Sequence, residues 1–234
     1  MYHLIAAIAK LDNETKGEQN MTKADNIFAG SLKRGEIGEE VFLSSFAGMK
    51  NVRKVYDARH SAKYQDVDID FALDLRRKSE LIDSTHISVE LKTDYTVNQN
   101  LYYEYFSCYE LHTAGCMEKT KSDLLIYYYI RKNFFYVLKT DTFRDWVHMH
   151  SEDFRKNFKE ERGRWGIYHK AGLLIPTSSI EAAYENKTII GKKVQVSDAF
   201  SNKRVAMLDD SSYCKIEILH DKRKVKNIFD DMDS

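Results

Sequence analysis

Two carboxylates and an ammonium at strand spacing are the features of this 234-residue sequence most able to do chemistry. The run Asp66-Val67-Asp68-Ile69-Asp70-Phe71-Ala72-Leu73-Asp74-Leu75 alternates polar and apolar residues, which predicts a strand with one wet face. The alternation returns at Ile87-Ser88-Val89-Glu90-Leu91-Lys92, with Ile87, Val89 and Leu91 toward a core and Ser88, Glu90 and Lys92 away from it. Paired strands lie roughly 4.8 Å apart, so Asp68 and Glu90 on one face of two neighbours can converge on a cation. A hard divalent ion such as Mg²⁺ or Mn²⁺ takes oxygen ligands, keeps several waters, and lowers the pKa of an attacking water. Lys92 leaves the same face, where its ammonium can position that water or stabilise the charge of a phosphorane-like transition state.

Other segments must hold those two strands together. From about Asn26 to Ala47 apolar residues recur at helical spacing, with Ile37, Val41 and Phe42 on one side and Glu36, Glu39 and Glu40 on or near the other. Val52 to Tyr56 reads as an opening strand, and Asp57 to Lys63 as a charged connection carrying Arg59, His60 and Lys63. Leu101 to Phe106, Leu124 to Ile130 and Phe134 to Leu138 read as further strands, the last two joined by the turn Arg131 to Asn133. Asp141 to His150 returns to helical spacing, with Thr140 or Asp141 placed to cap it. Beyond Ser151 come the charged run Glu152 to Arg164 and three apolar stretches, Leu173 to Ile175, Val194 to Val196 and Ile216 to Leu219, with Pro176 ending the first.

Glu-x-Lys alone is a common pattern on an exposed strand face, but here it has company. Asp68 followed by Glu90-Leu91-Lys92 resembles the PD-(D/E)XK nuclease signature. Gly35-Glu36-Ile37-Gly38-Glu39 looks like the Gly-x-x-Gly-Glu helix of many members, in which a Glu leans over the site. Gln65-Asp66-Val67-Asp68 looks like the entry to the family's acidic strand. Asn100-Leu101-Tyr102-Tyr103-Glu104 and Lys121-Ser122-Asp123-Leu124-Leu125 resemble segments of phage and bacterial nucleases of this type. The order helix, acidic strand, E-x-K strand, third strand is the family's core order. No proline precedes Asp68 or Asp70, which leaves the choice of acidic residue open, and Ser122-Asp123 lacks the usual small residue between them.

The resemblance spans about Gly35 to Trp146. It implies an α/β fold with a restriction-endonuclease-like mixed central sheet flanked by helices: residues 1–25 an N-terminal extension, 26–150 the nuclease core, 151–234 a C-terminal elaboration of the same domain. It also implies DNA as partner and a metal-dependent endonuclease activity leaving 5′-phosphate and 3′-hydroxyl ends, in a phage or mobile-element context. Asp68 and Glu90 would hold Mg²⁺ (or Mn²⁺), and Lys92 and Glu39 would assist. Asp70, Glu36, Gln65 and Glu104 are secondary candidates. Asp68 is preferred because the approach through Gln65 puts it near mid-strand, whereas Asp70 lies one pleat repeat, roughly 6.6 Å, further on.

Composition adds exclusions. Thirty-six basic and 36 acidic residues cancel, so nucleic-acid binding must come from local clusters such as Arg155 to Arg164, Lys192-Lys193, Lys203-Arg204 and Lys222 to Lys226. Each of these also reads as an ordinary solvated face. The three cysteines form no Cys-x-x-Cys pair, which favours free thiols and a cytoplasmic setting, and no apolar run approaches bilayer length. His148 and His150 point to different faces of a helix and make a poor metal clip. Tyrosines at strand spacing, Tyr102-Tyr103 and Tyr127 to Tyr129, read as core before they read as base-stacking groups. The competing function is a nuclease fold without catalysis that binds DNA or protein; retention of Asp68, Glu90 and Lys92 together argues against it. A homodimer is left open.

Overall fold

The computed structural model describes residues 23–78, 82–96, 98–162, 168–196 and 206–207. In chain order the elements are α1 (Lys23–Ala47), β1 (Val52–Asp57), α2 (Ala62–Gln65), β2 (Phe71–Leu75), β3 (His86–Asp94), β4 (Asn100–Cys108), β5 (Thr113–Ala114), α3 (Cys116–Lys119), β6 (Leu124–Tyr129), β7 (Phe134–Lys139), α4 (Thr140–Met149), α5 (Ser151–Phe154), β8 (Phe158–Arg162), β9 (His169–Pro176), α6 (Thr177–Glu185), β10 (Gly191–Gln195) and β11 (Ala206–Met207). They form a mixed seven-stranded sheet in the order β10-β7-β6-β3-β2-β1-β11 and a four-stranded sheet in the order β5-β4-β9-β8.

The centre of the large sheet follows from its sequence. Leu124-Leu125-Ile126-Tyr127-Tyr128-Tyr129 is buried at every position, as a strand covered on both faces requires. It runs parallel to β3, with Glu90 opposite Leu125 and Lys92 opposite Tyr127. β1, β2 and β3 form an antiparallel meander, so the acidic and Glu-x-Lys strands are neighbours, Phe71 facing Val89 and Ala72 facing Ser88. On one face α1 presents Val41, Phe42 and Phe46 to Phe71, Val89, Leu91, Ile126 and Phe135. Phe42 stacks on Phe46 at 4.3 Å and on Phe71 at 4.6 Å. On the other face Leu125, Tyr127, Tyr136 and Leu138 meet Tyr103 and Leu173 of the small sheet, Phe143 and Trp146 of α4, and Ile180 of α6. The tyrosines of β6 are therefore core, and the buried hydroxyls of Tyr127, Tyr128 and Tyr129 are bonded to Asp94, Asn133 and the Asn100 carbonyl.

Two expectations are corrected, the start of the acidic strand and the cap of α4, and two left open are filled in. The acidic strand begins at Phe71, not Asp66: residues 66–68 form a turn whose amides bond back, Ile69 N to Tyr64 O at 3.0 Å and Asp68 N to Gln65 O at 3.2 Å. Leu101 to Phe106 lies within strand β4, as its pattern predicts, and pairs with β9 in the small sheet. Neither Thr140 nor Asp141 caps α4, since the helix already begins at Thr140 and Lys139 holds the cap position. Residues 151–162 of the charged run, whose elements the sequence left open, form α5, a short 3₁₀ turn and β8. β8 and β9 build the small sheet while β10 and β11 lie at the two edges of the large one. Ile216 to Leu219, Lys203-Arg204, Lys222 to Lys226, the acidic stretch Asn227 to Ser234 and residues 1–22 lie outside the described residues. Among those described, no helix is long and apolar enough to cross a membrane.

α1 reaches the sheet through one glycine. A Cβ on Gly38 would lie 2.0 Å from Thr93 Oγ1 and 3.0 Å from Thr93 Cβ, whereas one on Gly35 would meet nothing within 4 Å. The two glycines of the Gly-x-x-Gly-Glu segment therefore have opposite meanings. Gly35→Ala should stabilise the fold by up to about 1 kcal/mol, the gain of replacing glycine inside a helix. Gly38→Ala should destabilise it by about 1–3 kcal/mol through overpacking against β3. Denaturant unfolding of both variants checks this, and equal effects would show that the contact does not set the helix position.

Candidate active site

β3 splits its side chains by parity: Ile87, Val89 and Leu91 join the cluster under α1, while Glu90 and Lys92 leave the other face. Glu90 is 2% exposed. Its Oε1 lies 2.5 Å from Lys92 Nζ, and its Oε2 is buried with no hydrogen-bond partner. Burial pushes this carboxyl up to about 8; Lys92 opposes the shift, and the charges of Asp70 and Asp68 add to it.

Asp70 occupies the place opposite. It immediately precedes β2, its amide donates to Val89 O at 2.9 Å, and its Oδ2 accepts from Leu91 N at 2.8 Å. The residues flanking Glu90 therefore clamp Asp70 on both its main chain and its side chain. Burial raises the Asp70 carboxyl too, against the pull of Lys92 and the Leu91 amide. Two carboxyls this close cannot both ionise cheaply without a cation. Lys92 is held well above the ordinary lysine range although burial works the other way, the raising influences being Cys116, then Glu90 and Asp70. Burial in turn pushes the Cys116 thiol up to about 11. A third of the Lys92 side chain, 33%, still reaches solvent.

Asp68 lies beside this pair and not within it. It sits on the turn before β2 with φ 48°, a left-handed conformation that aspartate tolerates better than most residues. Its Oδ2 is 3.6 Å from Lys119 Nζ of α3, and its carbonyl accepts from Thr120 Oγ1 at 2.7 Å. It acts on Glu90 by charge, more weakly than Asp70 does. Glu39 comes from α1 and pairs with Arg59, whose guanidinium also holds both oxygens of Asp57, Nε to Oδ1 at 2.8 Å, and lies 5.2 Å from the centre of the Phe71 ring. Burial raises the Glu39 carboxyl, Arg59 lowers it, and the charges of Asp70 and Asp57 raise it further.

The remaining candidates lie further out. Glu36 is exposed, and the exposed Gln65 bonds the Arg59 carbonyl, bracing the connection. Glu104, 8% exposed in the small sheet, accepts from Cys116 N at 3.3 Å and Lys170 Nζ at 3.1 Å, which links it to the site through Cys116. Asp123 bonds Ser88 N at 2.7 Å and Oγ at 2.6 Å, a β6-to-β3 tie. His148 pairs with Glu118 and His150 with Asp153. Lys119 was not singled out from the sequence, Cys116 was read only as a free thiol and Arg59 only as part of a charged connection: each sits in a segment without periodicity, and only the Asp57-x-Arg59 spacing hints at a local ion pair.

Among the described residues no group of three or more His, Cys, Asp or Glu is placed to hold a metal. Asp70 and Glu90 form a two-carboxylate set, and Mg²⁺ is commonly held by one or two carboxylates with water and substrate phosphate completing its shell. The partnerless Glu90 oxygen and the mutual repulsion of the two carboxyls are what such an ion would relieve, so the residues fit it. No protein-family profile, curated protein or solved structure matches this chain significantly.

The raised carboxyls make stability depend on pH in the metal-free protein. A carboxyl whose folded pKa lies above its unfolded value binds more protons when folded, so stability is greatest below the unfolded value and is lost as pH rises through the folded one. With Glu90 at about 8, chelator-treated protein should melt at progressively lower temperature between about pH 5 and 8. Glu90→Gln should flatten that slope. Thermal melts across the range test this, and an unchanged slope in the variant would remove Glu90 as its source.

Proposed function

We propose that this chain is a metal-dependent DNA endonuclease with a restriction-endonuclease-like core, hydrolysing phosphodiester bonds to leave 5′-phosphate and 3′-hydroxyl ends. The observation that carries the reading is the convergence of Asp70, Glu90 and Lys92, with one Glu90 oxygen buried and unpartnered. A chance alternation of charges would leave those side chains in solvent. Asp70 and Glu90 would hold Mg²⁺ or Mn²⁺, with Asp68 at the rim. Such an ion supplies a water of lowered pKa and neutralises charge building on the phosphate.

The protein's own part follows from the geometry. Glu90 fixes the Lys92 ammonium at 2.5 Å, so that charge stays at one point while a third of the side chain can meet water or a phosphate oxygen. Its elevated proton affinity suits it to donate hydrogen bonds to the attacking water or to the charge developing on phosphorus, not to act as a base. Arg59, tied to Asp57 and Glu39, keeps Glu39 from adding a third bare charge next to Asp70.

Purified protein with Mg²⁺ or Mn²⁺ should cut plasmid, linear or branched DNA. Glu90→Gln, Asp70→Asn and Lys92→Ala should each lower the rate by about 100-fold or more, in the range for loss of one preorganised charged group. Asp68→Asn should cost less than Asp70→Asn, and isothermal titration should show metal binding weakened in the Asp70 and Glu90 variants. Wild-type cleavage by the Lys92 or Glu90 variant would remove this site. An ion that depends on Asp68 and not on Asp70 would keep the nuclease and exchange the ligand.

A further inference from the structure

The small sheet ends in a tip that catalysis does not use. β4 and β5 are joined by Tyr109, Glu110, Leu111 and His112, and Leu111 is 77% exposed. The turn is held from several sides. Phe106 packs on Tyr109 at 5.7 Å and on His112 at 5.5 Å, and Tyr109 meets Phe158 of β8 at 6.0 Å. The Glu110 carboxylate accepts the His169 amide at 3.0 and 3.1 Å and pairs with the His169 ring at 2.6 Å, while Tyr109 N donates to His169 O at 2.7 Å. His112 takes a left-handed φ of 50° to complete the reversal. Leu111 is thus an apolar point on a braced support.

The tip also has a short route to the acidic pair. β5 passes through Gly115, where a Cβ would lie 2.4 Å from Glu104 O, directly into Cys116, whose neighbours include Lys92 and Glu104. The small sheet packs on the face of the large sheet from which Glu90 and Lys92 emerge. From Cys116 to Leu111 the backbone spans at most about 17 Å at the rise of an extended strand. That is about five steps along a DNA strand at 3.4 Å each.

We propose that Leu111 is a wedge that enters an opened base step of the DNA being cut, so that the preferred substrate is a duplex interrupted by a branch, nick or mismatch close to the scissile bond. The inference rests on the nuclease reading. Single apolar side chains enter base steps in this way, and the step opens most easily where pairing is already broken. Tyr109 and Phe158, 37% and 41% exposed, offer ring faces to a displaced base. One leucine is far too small to make a stable protein dimer, which needs roughly 800 Å² per partner, or to hold a bilayer.

The test uses the full chain with Mn²⁺ on DNAs that share one sequence as linear duplex, nicked duplex and fork, with 2-aminopurine at the branch step. The fork and nicked duplex should be cut about 10-fold faster or more, within about seven nucleotides of the interruption, with a rise in 2-aminopurine fluorescence on binding. Leu111→Ala and Leu111→Asp should keep the linear-duplex rate and melting temperature while losing both the preference and the fluorescence change. Variants that retain the preference, or a wild type without one, overturn the wedge and leave the nuclease standing. A Leu111-dependent change of oligomeric state in sedimentation, with DNA cleavage unaltered, also overturns it. If the wild type cuts none of the DNAs, the nuclease reading itself fails.

Discussion

Glu90 and Lys92 stand 2.5 Å apart on a strand whose other face is packed against a helix, and the architecture must let them remain there. A buried carboxylate loses its hydration, and one ammonium does not replace it when a second carboxyl lies alongside. Without a cation the raised Glu90 carboxyl eases this by holding a proton, and to offer both carboxylates to one ion the fold must also keep the acidic residues from moving apart. It does so with main-chain bonds. Asp70 is fixed at its amide by Val89 and at its side chain by Leu91, so separating it from Glu90 would break the β2–β3 ladder.

The second support comes from α1. Gly38 lets the helix lie against Thr93, one residue beyond Lys92, and that approach brings Glu39 to Arg59 and near Asp70. Arg59 then ties the end of β1, the connection after it and the helix into one ionic unit stacked over Phe71. On the far side, Lys119 and Thr120 bind the side chain and main chain of Asp68, and Lys121 N reaches Val67 O at 3.0 Å. The acidic pair is bounded by elements from four separate parts of the chain.

Much of this was legible in the residues and some was not, for physical reasons. The period-two pattern around Glu90 and the unbroken apolar run of β6 each encode a local preference that tertiary packing reinforces. The span from Asp66 to Asp70 encodes nothing so clear. A turn that buries Ile69 against Ala58 presents the same alternation of aspartate and aliphatic side chains as a strand does, and no glycine or proline marks it. That is why Asp68 looked central and Asp70 peripheral. The placement of Asn100 to Cys108 was also beyond local reading, because its sheet is decided by β9, which arrives some seventy residues later.

The C-terminal third closes both sides of the large sheet: Gly191–Gln195 runs along β7, and Ala206–Met207 along β1. During synthesis the segment bearing the acidic pair emerges first, with those two rows of amides and carbonyls open and with β4 lacking its partner. Unpaired strand edges are templates for other chains. Both edges of the large sheet thus stay open until residues 191–207 have left the ribosome, and a nascent chain held short of residue 190 is an aggregation hazard.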